Sequence, residues 1–279
     1  PTPATYTLLV ARNDEGGGGR APLDAERGRT ASAAELRERL PDAPPAYLEG
    51  AWGNRSLGRE ELKFLLRNRA APATLLSRIA ADRRFATFQE IRLALVVHPR
   101  LPQPLARSLA EHLRWRELAD VADDVRVTPP VRRKAEDLIR VRLEEMAVGE
   151  RVSLARRASR GVIAALRKDA EGRVLEALLR NPKLLEPEAA ALARSGSTPR
   201  AVLAALGDHP KWGGRRAVRL ALARNPRTPV RSALGALAGL SRSDLARLAR
   251  DEEAPKIVRV VAERSLGPSG TGARPPQEG

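Results

Sequence analysis

The chain is 279 residues long and 42% hydrophobic, and its formal net charge at pH 7 is +16. This length is sufficient for a substantial core in one or two domains, while the 3% aromatic content argues against a large aromatic-lined ligand pocket. Because cysteine is absent, disulfides, thiolate metal sites and iron–sulfur clusters are excluded. No apolar run approaches the length of a membrane span, and we expect a cytoplasmic protein.

Residues 1 to 57 are predicted to form a flexible leader that contains one short helix. The beginning of this segment includes the run Gly16 to Gly19 and shows little hydrophobic periodicity. The short helix is expected from Ser32 to Leu40, because Ser32 is a candidate N-cap and Glu35 follows three residues later, as in a capping box.

Residues 58 to 266 are predicted to be entirely helical. Apolar runs of roughly 8 to 16 residues alternate with short breaks that contain proline. A residue before proline is pushed out of the helical region, while proline itself fits the first helical turn, so each break ends one helix and starts the next. No segment alternates with period two for long enough to form a sheet, and the fold class is therefore all-α. Residues 267 to 279 are expected to be a disordered tail rich in glycine and proline.

This helical region is repetitive. Branched residues recur within amphipathic runs at 91, 131, 174, 218 and 258, at intervals of 40 to 44 residues. When residues 57–138 are placed on residues 184–265 without a gap, 23 of the 82 pairs are identical, and several prolines stay in register. Intervals of this length are typical of stacked helical repeats, and the match indicates an internal duplication.

Two segments share an order of Asp, Val-Arg, Ala and Leu that resembles the second-helix signature of HEAT repeats. They are Asp124, Val131, Arg132, Ala135 and Leu138, and then Asp251, Val258, Arg259, Ala262 and Leu266. The resemblance covers residues 58–266 and implies a right-handed α-solenoid of about five helix-pair repeats of 40 to 44 residues. The middle repeat has Leu175 where arginine is expected. The Asn-Pro and His-Pro breaks are also similar to leucine-rich repeat variants, although the Cys-rich metal segment of that family is absent.

Four arginines occupy equivalent positions in the repeats. They are Arg92, Arg132, Arg219 and Arg259. The HEAT resemblance implies that each one forms a structural ion pair with an aspartate of its own or the adjacent repeat. The matching aspartates are Asp82, Asp124, Asp169, Asp208 and Asp251.

The candidate functional residues are arginines of two strongly basic segments, and Arg219 belongs both to these and to the four equivalent arginines. Between residues 189 and 243 the only acid is Asp208, against ten basic residues, and residues 151–168 contain six basic residues and no acid. Such a concentration of like charge indicates an anionic partner; the alternative is a solvated face. The candidate partner-binding residues are Arg156, Arg157, Arg160, Arg215, Arg216, Arg219, Arg224, Arg227 and Arg231.

No catalytic, metal-binding or cofactor motif is present. His98 and His209 precede prolines at helix junctions, and we interpret them as residues that satisfy helix-end backbone groups. We therefore expect a non-catalytic interaction scaffold that presents an Arg-rich surface to an acidic protein partner. The alternative is a nucleic-acid-binding repeat protein. An enzyme similar to the HEAT-like alkylpurine DNA glycosylases would need a carboxylate beside exposed aromatic residues in a concave cleft.

Overall fold

A computed structural model describes residues 20–85 and 87–267. These residues form 18 α-helices and one short 3-10 helix, with no strand among them, which confirms the all-α prediction. The parts of the expected leader and tail at residues 1–19 and 268–279 lie outside the described residues. The chain divides into an N-terminal unit that ends at Ile139 and a C-terminal unit that starts at Arg140.

The helices are short, most of them seven to nine residues long. Helices in the first half of the chain are α1 (Arg20–Thr30), α2 (Ala33–Arg39), α3 (Pro45–Trp52), α4 (Arg59–Leu65), α5 (Ala73–Ala81), α6 (Gln89–Val96), α7 (Gln103–Ala110), α8 (Trp115–Asp123) and α9 (Pro129–Arg142). Helices in the second half are α10 (Val148–Ala155), α11 (Arg160–Leu166), α12 (Gly172–Leu179), α13 (Glu186–Arg194), α14 (Arg200–Asp208), α15 (Arg216–Arg224), α16 (Val230–Leu237), α17 (Arg242–Ala249) and α18 (Lys256–Leu266).

Residues 20–57 are helical and packed, so the expectation of a flexible leader is wrong for this part of the chain. Helix α1 lies directly against α3. The contact depends on two glycines: a side chain at Gly28 would collide with the carbonyl of Tyr47, and one at Gly50 would collide with the carbonyl of Ala25. The absence of side chains lets the two backbones approach closely.

Polar contacts tie this segment into the N-terminal unit. The capping box expected at Ser32 is present, with the Glu35 carboxylate accepting a 2.8 Å bond from the Ser32 backbone. The buried Asn54 donates to two carbonyls of the turn that follows α1. Arg37 of α2 pairs at 2.7 Å with Glu61 of α4. The boundary expected between residues 57 and 58 therefore falls inside a packed unit.

A recurring polar turn connects the helices, and Asn181 illustrates it. Its buried side-chain nitrogen donates to the carbonyls of Ala155 and Ala158 at 2.8 and 3.1 Å. Its side-chain oxygen accepts a bond from the backbone nitrogen of Lys183 at 2.8 Å. One side chain thus closes its own turn and binds the turn that lies two helices earlier. The same arrangement occurs at Asn54, Asn68 and Asn225.

Each interval of 40 to 44 residues contains three short helices, so the expected helix-pair repeat is wrong. From Ile91 to Val131, for example, the chain passes from α6 through α7 and α8 into α9. The reason is that some turns, such as the one at Asp82, have no proline beside the polar residue and therefore give no break signal in the sequence. The duplication is visible in the helices: α4 to α9 begin at residues 59, 73, 89, 103, 115 and 129, and α13 to α18 begin at 186, 200, 216, 230, 242 and 256.

In the C-terminal unit, helices pack against those two positions along the chain. Helix α12 contacts α10 and α14, α16 contacts α14 and α18, and α13 contacts α15. Leucine, valine and alanine fill the space between them, including the fully buried Leu203, Leu206 and Leu222. Burial of each such leucine contributes about 1.5–3 kcal/mol. Phe85 and Trp212, which are equivalent in the duplication, are both buried.

Candidate functional site

The nine predicted partner-binding arginines lie in the C-terminal unit, but on turns at two opposite ends of its helices. Turns that precede α12, α14, α16 and α18 lie at one end, since hydrogen bonds join the turn at residues 195–199 to the turn at 225–229. Turns that precede α11, α13 and α15 lie at the other, since bonds join residues 155–158 to Asn181 and Leu184 to Lys211. A helix of eight or nine residues separates the ends by about 12–13 Å.

The structure therefore does not gather the nine arginines on one face. Arg224, Arg227 and Arg231 lie at the first end. The others lie at the second end and are Arg156, Arg157, Arg160, Arg215, Arg216 and Arg219. The sequence shows that both segments are basic. It does not show which arginines are neighbours, because consecutive turns alternate between the two ends. The number of helices between two turns determines whether they lie at the same end.

Several of these arginines bind groups of the protein itself. Arg216 contacts both carboxylate oxygens of Asp244, with a 2.8 Å bond from Nε. Asp244 is buried and also accepts a 2.9 Å bond from the hydroxyl of Ser241. The Arg216 guanidinium, together with Ser241, lowers the pKa of Asp244 to about 2. Bidentate charge-assisted bonds of this kind are specific and strong, so Arg216 has a structural role.

Arg219 is also structural. Its Nε donates a 2.7 Å bond to the carbonyl of Gly213. The guanidinium occupies the space over Gly239, where any side chain would overlap it. The prediction that Arg219 pairs with an aspartate is therefore wrong, because its guanidinium donates to a backbone carbonyl.

The aspartates are turn residues whose hydrogen bonds go to other arginines, and at Asp124 both Arg126 and, more weakly, the charge of Arg132 lower the pKa of the carboxyl group. Asp124 accepts bonds from the backbone and the guanidinium of Arg126, and Asp251 accepts a 2.7 Å bond from Arg224. In each case the second carboxylate contact closes the aspartate's own turn, as the asparagines do elsewhere. Arg92, another member of the expected ladder, donates to the carbonyl of His112 at 3.0 Å. The turn geometry, rather than the repeat register, selects these partners.

A compact cluster of exposed arginines remains at the first end. We call Arg194, Arg200, Arg227 and Arg231 the basic end. Arg194 ends α13 and Arg200 begins α14, while the other two flank the start of α16. All four are exposed. Among the described residues, Arg194, Arg200 and Arg231 have no ion pair or hydrogen-bonded side-chain partner.

Hydrogen bonds hold the two turns of the basic end together. Asn225 donates to the carbonyls of Ala193 and Ser195 at 2.7 and 3.1 Å. Arg227 donates to the carbonyl of Gly196 at 2.7 Å. Helices α14 and α16 start here without a side-chain cap and without an acidic residue in the first turn. The positive potential of their N-termini therefore adds to the charge of the arginines.

Arg227 and Arg231 are among the nine arginines predicted from the sequence, whereas Arg194 and Arg200 are not. The missing signal was the pair of asparagine or serine turns at Ser195 and Asn225, which predicts that their flanking residues are neighbours. Once the turns are recognised, the cluster can be read from the sequence.

The junction histidines bind backbone groups, as expected. Nε2 of His98 lies 3.1 Å from the carbonyl oxygen of Asn68, and Nδ1 accepts from the backbone nitrogen of Arg100. Burial lowers the pKa of His98. Nδ1 of His209 accepts from the backbone nitrogen of Lys211. Across residues 20–85 and 87–267, no group of histidine and acidic side chains is arranged to hold a metal ion.

No protein family model, curated protein or solved structure matches this chain. Within the described part of the chain, none of the helices combines the length and the apolar character needed to cross a lipid bilayer.

Proposed function

We propose that this protein is a non-catalytic helical-repeat scaffold whose basic end binds an acidic segment of a protein partner. The packing of alternate helices in the C-terminal unit supports a solenoid of short helices for this unit. In such an arrangement each added helix pair repeats the same set of exposed turns, and binding residues accumulate along one end of the stack.

The observation that carries the proposal is the uncompensated charge of the basic end. Arg200 and Arg231 are placed in the first turns of α14 and α16, where a cation opposes the helix dipole by about 0.3–1 kcal/mol. Two further arginines lie on the adjoining turns, and no acidic residue occurs in either turn. A carboxylate-rich segment would offset the repulsion among the arginines and the unfavourable interaction of Arg200 and Arg231 with the helix dipoles. Arginine suits this role because it binds carboxylates in a bidentate manner.

Nucleic acid is the second candidate because guanidinium groups also bind phosphates. The division of the nine arginines between two ends favours the protein partner. A strand of nucleic acid is bound through a continuous series of phosphate contacts, whereas four arginines on two adjoining turns match a short acidic segment.

The test uses fluorescence anisotropy with two labelled probes, a short poly-glutamate peptide and a DNA duplex, across a salt series. We expect the peptide to bind, and the Arg194→Glu/Arg200→Glu/Arg231→Glu variant to weaken binding by about tenfold or more, which corresponds to about 1.4 kcal/mol. The matched control is Arg156→Glu/Arg160→Glu/Arg180→Glu, which makes the same change in net charge at exposed residues of the other end.

If the two variants weaken peptide binding equally, net charge alone determines the affinity, and the proposed binding site is wrong. Tight duplex binding, with a steep salt dependence that the first variant alone removes, would replace the acidic protein with nucleic acid as the partner. Thermal unfolding followed by circular dichroism verifies that both variants remain folded.

A further inference from the structure

A cleft of about 540 Å³ lies in the N-terminal unit. It extends across α4, α6 and the turn that follows α8, and the side chains that matter for binding are Lys63, Arg67, Arg69, Ala94, Val97 and Arg126. Its volume is within the range of about 300–1,000 Å³ that is typical of ligand sites. None of the arginines proposed above as partner-binding residues lines it.

The charge of this cleft is positive and partly uncompensated. Two carboxylates line it, and both already have cationic neighbours. Glu90 lies 3.3 Å from the guanidinium of Arg59, and Asp124 accepts a 2.8 Å bond from Arg126. By contrast, Arg67 and Arg69 are exposed and have no ion pair among the described residues.

The turn that carries these two arginines is rigidly attached. Asn68, between them, is buried and donates to the carbonyls of Leu40 and Ala43 at 2.8 and 2.9 Å. The guanidinium of Arg67 lies over the Phe64 ring, 5.3 Å from its centre. Both cations are thus presented from a fixed backbone, which lowers the entropy lost on binding.

Apolar surface lies beside the charge. Ala94 and Val97 are half-buried and Pro99 is exposed, and all three line the cleft. Val125, on the same turn as the lining residues Asp124 and Arg126, is 82% exposed. An aliphatic side chain that covered these groups would remove apolar surface from water, at about 25 cal/mol per Å².

We propose that this cleft binds a peptide segment that carries both carboxylates and aliphatic side chains. The carboxylates bind Arg67 and Arg69, and an aliphatic side chain packs on Ala94 and Val97. The site is distinct from the basic end: it requires an apolar contact as well as charge, and it does not depend on the function proposed above.

The experiment measures the binding of labelled peptides to the full chain by fluorescence anisotropy. The probes are a peptide of alternating aspartate and leucine, one of alternating aspartate and serine, and one of alternating lysine and leucine. We expect the aspartate–leucine peptide to bind about tenfold more tightly than either of the others, because only this peptide satisfies both parts of the cleft.

Variants test the location. Arg67→Glu/Arg69→Glu should weaken binding of the aspartate–leucine peptide by about tenfold or more, and Ala94→Trp should do so by filling the cleft without changing charge. The matched control, Arg83→Glu/Arg107→Glu, changes the same charge at exposed arginines of the N-terminal unit that do not line the cleft. It should change the affinity by no more than about twofold.

Three results would overturn the inference. The first is equal affinity for the aspartate–leucine and aspartate–serine peptides, which would exclude the apolar contact. The second is an equal loss of affinity for the aspartate–leucine peptide in Arg67→Glu/Arg69→Glu and in the control Arg83→Glu/Arg107→Glu. The third is loss of binding in the Arg194→Glu/Arg200→Glu/Arg231→Glu variant with no effect of the cleft variants, which would assign the peptide to the basic end. Unfolding curves show whether each variant is folded. If Arg67→Glu/Arg69→Glu is unfolded, Ala94→Trp tests the location of the site instead.

Discussion

Replacement of Asn225 by alanine should destabilise the C-terminal unit strongly, because this side chain joins two turns. It donates to Ala193 and Ser195 at 2.7 and 3.1 Å and accepts from Arg227 at 2.9 Å. Each of the three hydrogen bonds contributes about 1 kcal/mol net. The buried carbonyl of Ala193 also loses its side-chain partner, and an unsatisfied buried group costs about 1–3 kcal/mol. We therefore expect a loss of roughly 4–6 kcal/mol in the free energy of unfolding.

Urea unfolding measures this loss, with circular dichroism for helix content and tryptophan fluorescence as a second probe. Two units can unfold in separate transitions, so hydrogen exchange of amides in α13 to α16 identifies the transition that belongs to the C-terminal unit. The expected result is a lower midpoint for that transition and loss of amide protection at both turns.

Asn225→His supplies a graded control. The equivalent residue of the duplication is His98, which contacts one carbonyl of the earlier turn and accepts one backbone bond. Histidine at position 225 should therefore recover about half of the loss caused by alanine. If Asn225→Ala changes the free energy of unfolding by less than about 0.5 kcal/mol, the turn hydrogen bonds do not stabilise the stack and the reasoning is refuted.

Three further predictions concern other contacts. Burial lowers the pKa of His98 below 6.5, so its stabilisation is complete above pH 6.5 and declines as the pH falls below that value; His98→Asn should flatten this dependence in urea unfolding measured from pH 7.5 to 5, and an unchanged slope would contradict it. The depressed pKa of Asp244, about 2 against an ordinary 3.8, predicts stability that is present above pH 3.8 and lost as the pH falls toward 2; acid unfolding monitored by circular dichroism should show this loss, and Asp244→Asn should remove it. Gly50→Ala places a methyl group against the carbonyl of Ala25 and should lower unfolding stability by about 1–3 kcal/mol, with increased proteolysis within α1; unchanged proteolysis would show that the two helices can separate at little cost.

Much of the helical architecture could be predicted from the sequence. Proline at helix starts, such as Pro129, and the capping box at Ser32 are local signals with direct physical causes. The duplication also predicted equivalent helices, because register is preserved when a whole segment is copied.

The number of helices per repeat could not be predicted from the same signals. The turn at Asp82 is closed by a polar side chain, and no proline marks it in the sequence. A short polar break inside an amphipathic run has the same sequence pattern as an exposed position on a continuing helix, so two short helices resemble one long helix. Asn54 and the two glycines of the α1–α3 contact likewise give no periodic signal, although they attach residues 20–57 to the unit.

The candidate arginines could be identified by type but not by placement. Charge counting finds Arg216 and Arg231 equally well, although the first is bound to Asp244 and the second is exposed. The difference arises from contacts between residues nearly thirty positions apart, such as the 28-residue separation of Arg216 and Asp244. Only the three-dimensional arrangement of the turns distinguishes a structural arginine from one that is available to a partner.

Because of the polar turns, the effect of inserting helices into this chain depends on whether their number is odd or even. Since each turn binds the turn two helices earlier, as Asn181 does with the end of α10, insertion or deletion of a helix pair preserves every such bond. An inserted single helix would instead reverse the direction of all helices that follow it within the unit, and residues now at one end would emerge at the other. Each interval of 40 to 44 residues contains three helices, so copying one interval places its turns at the opposite end of the helices, and copying two intervals returns them to the same end.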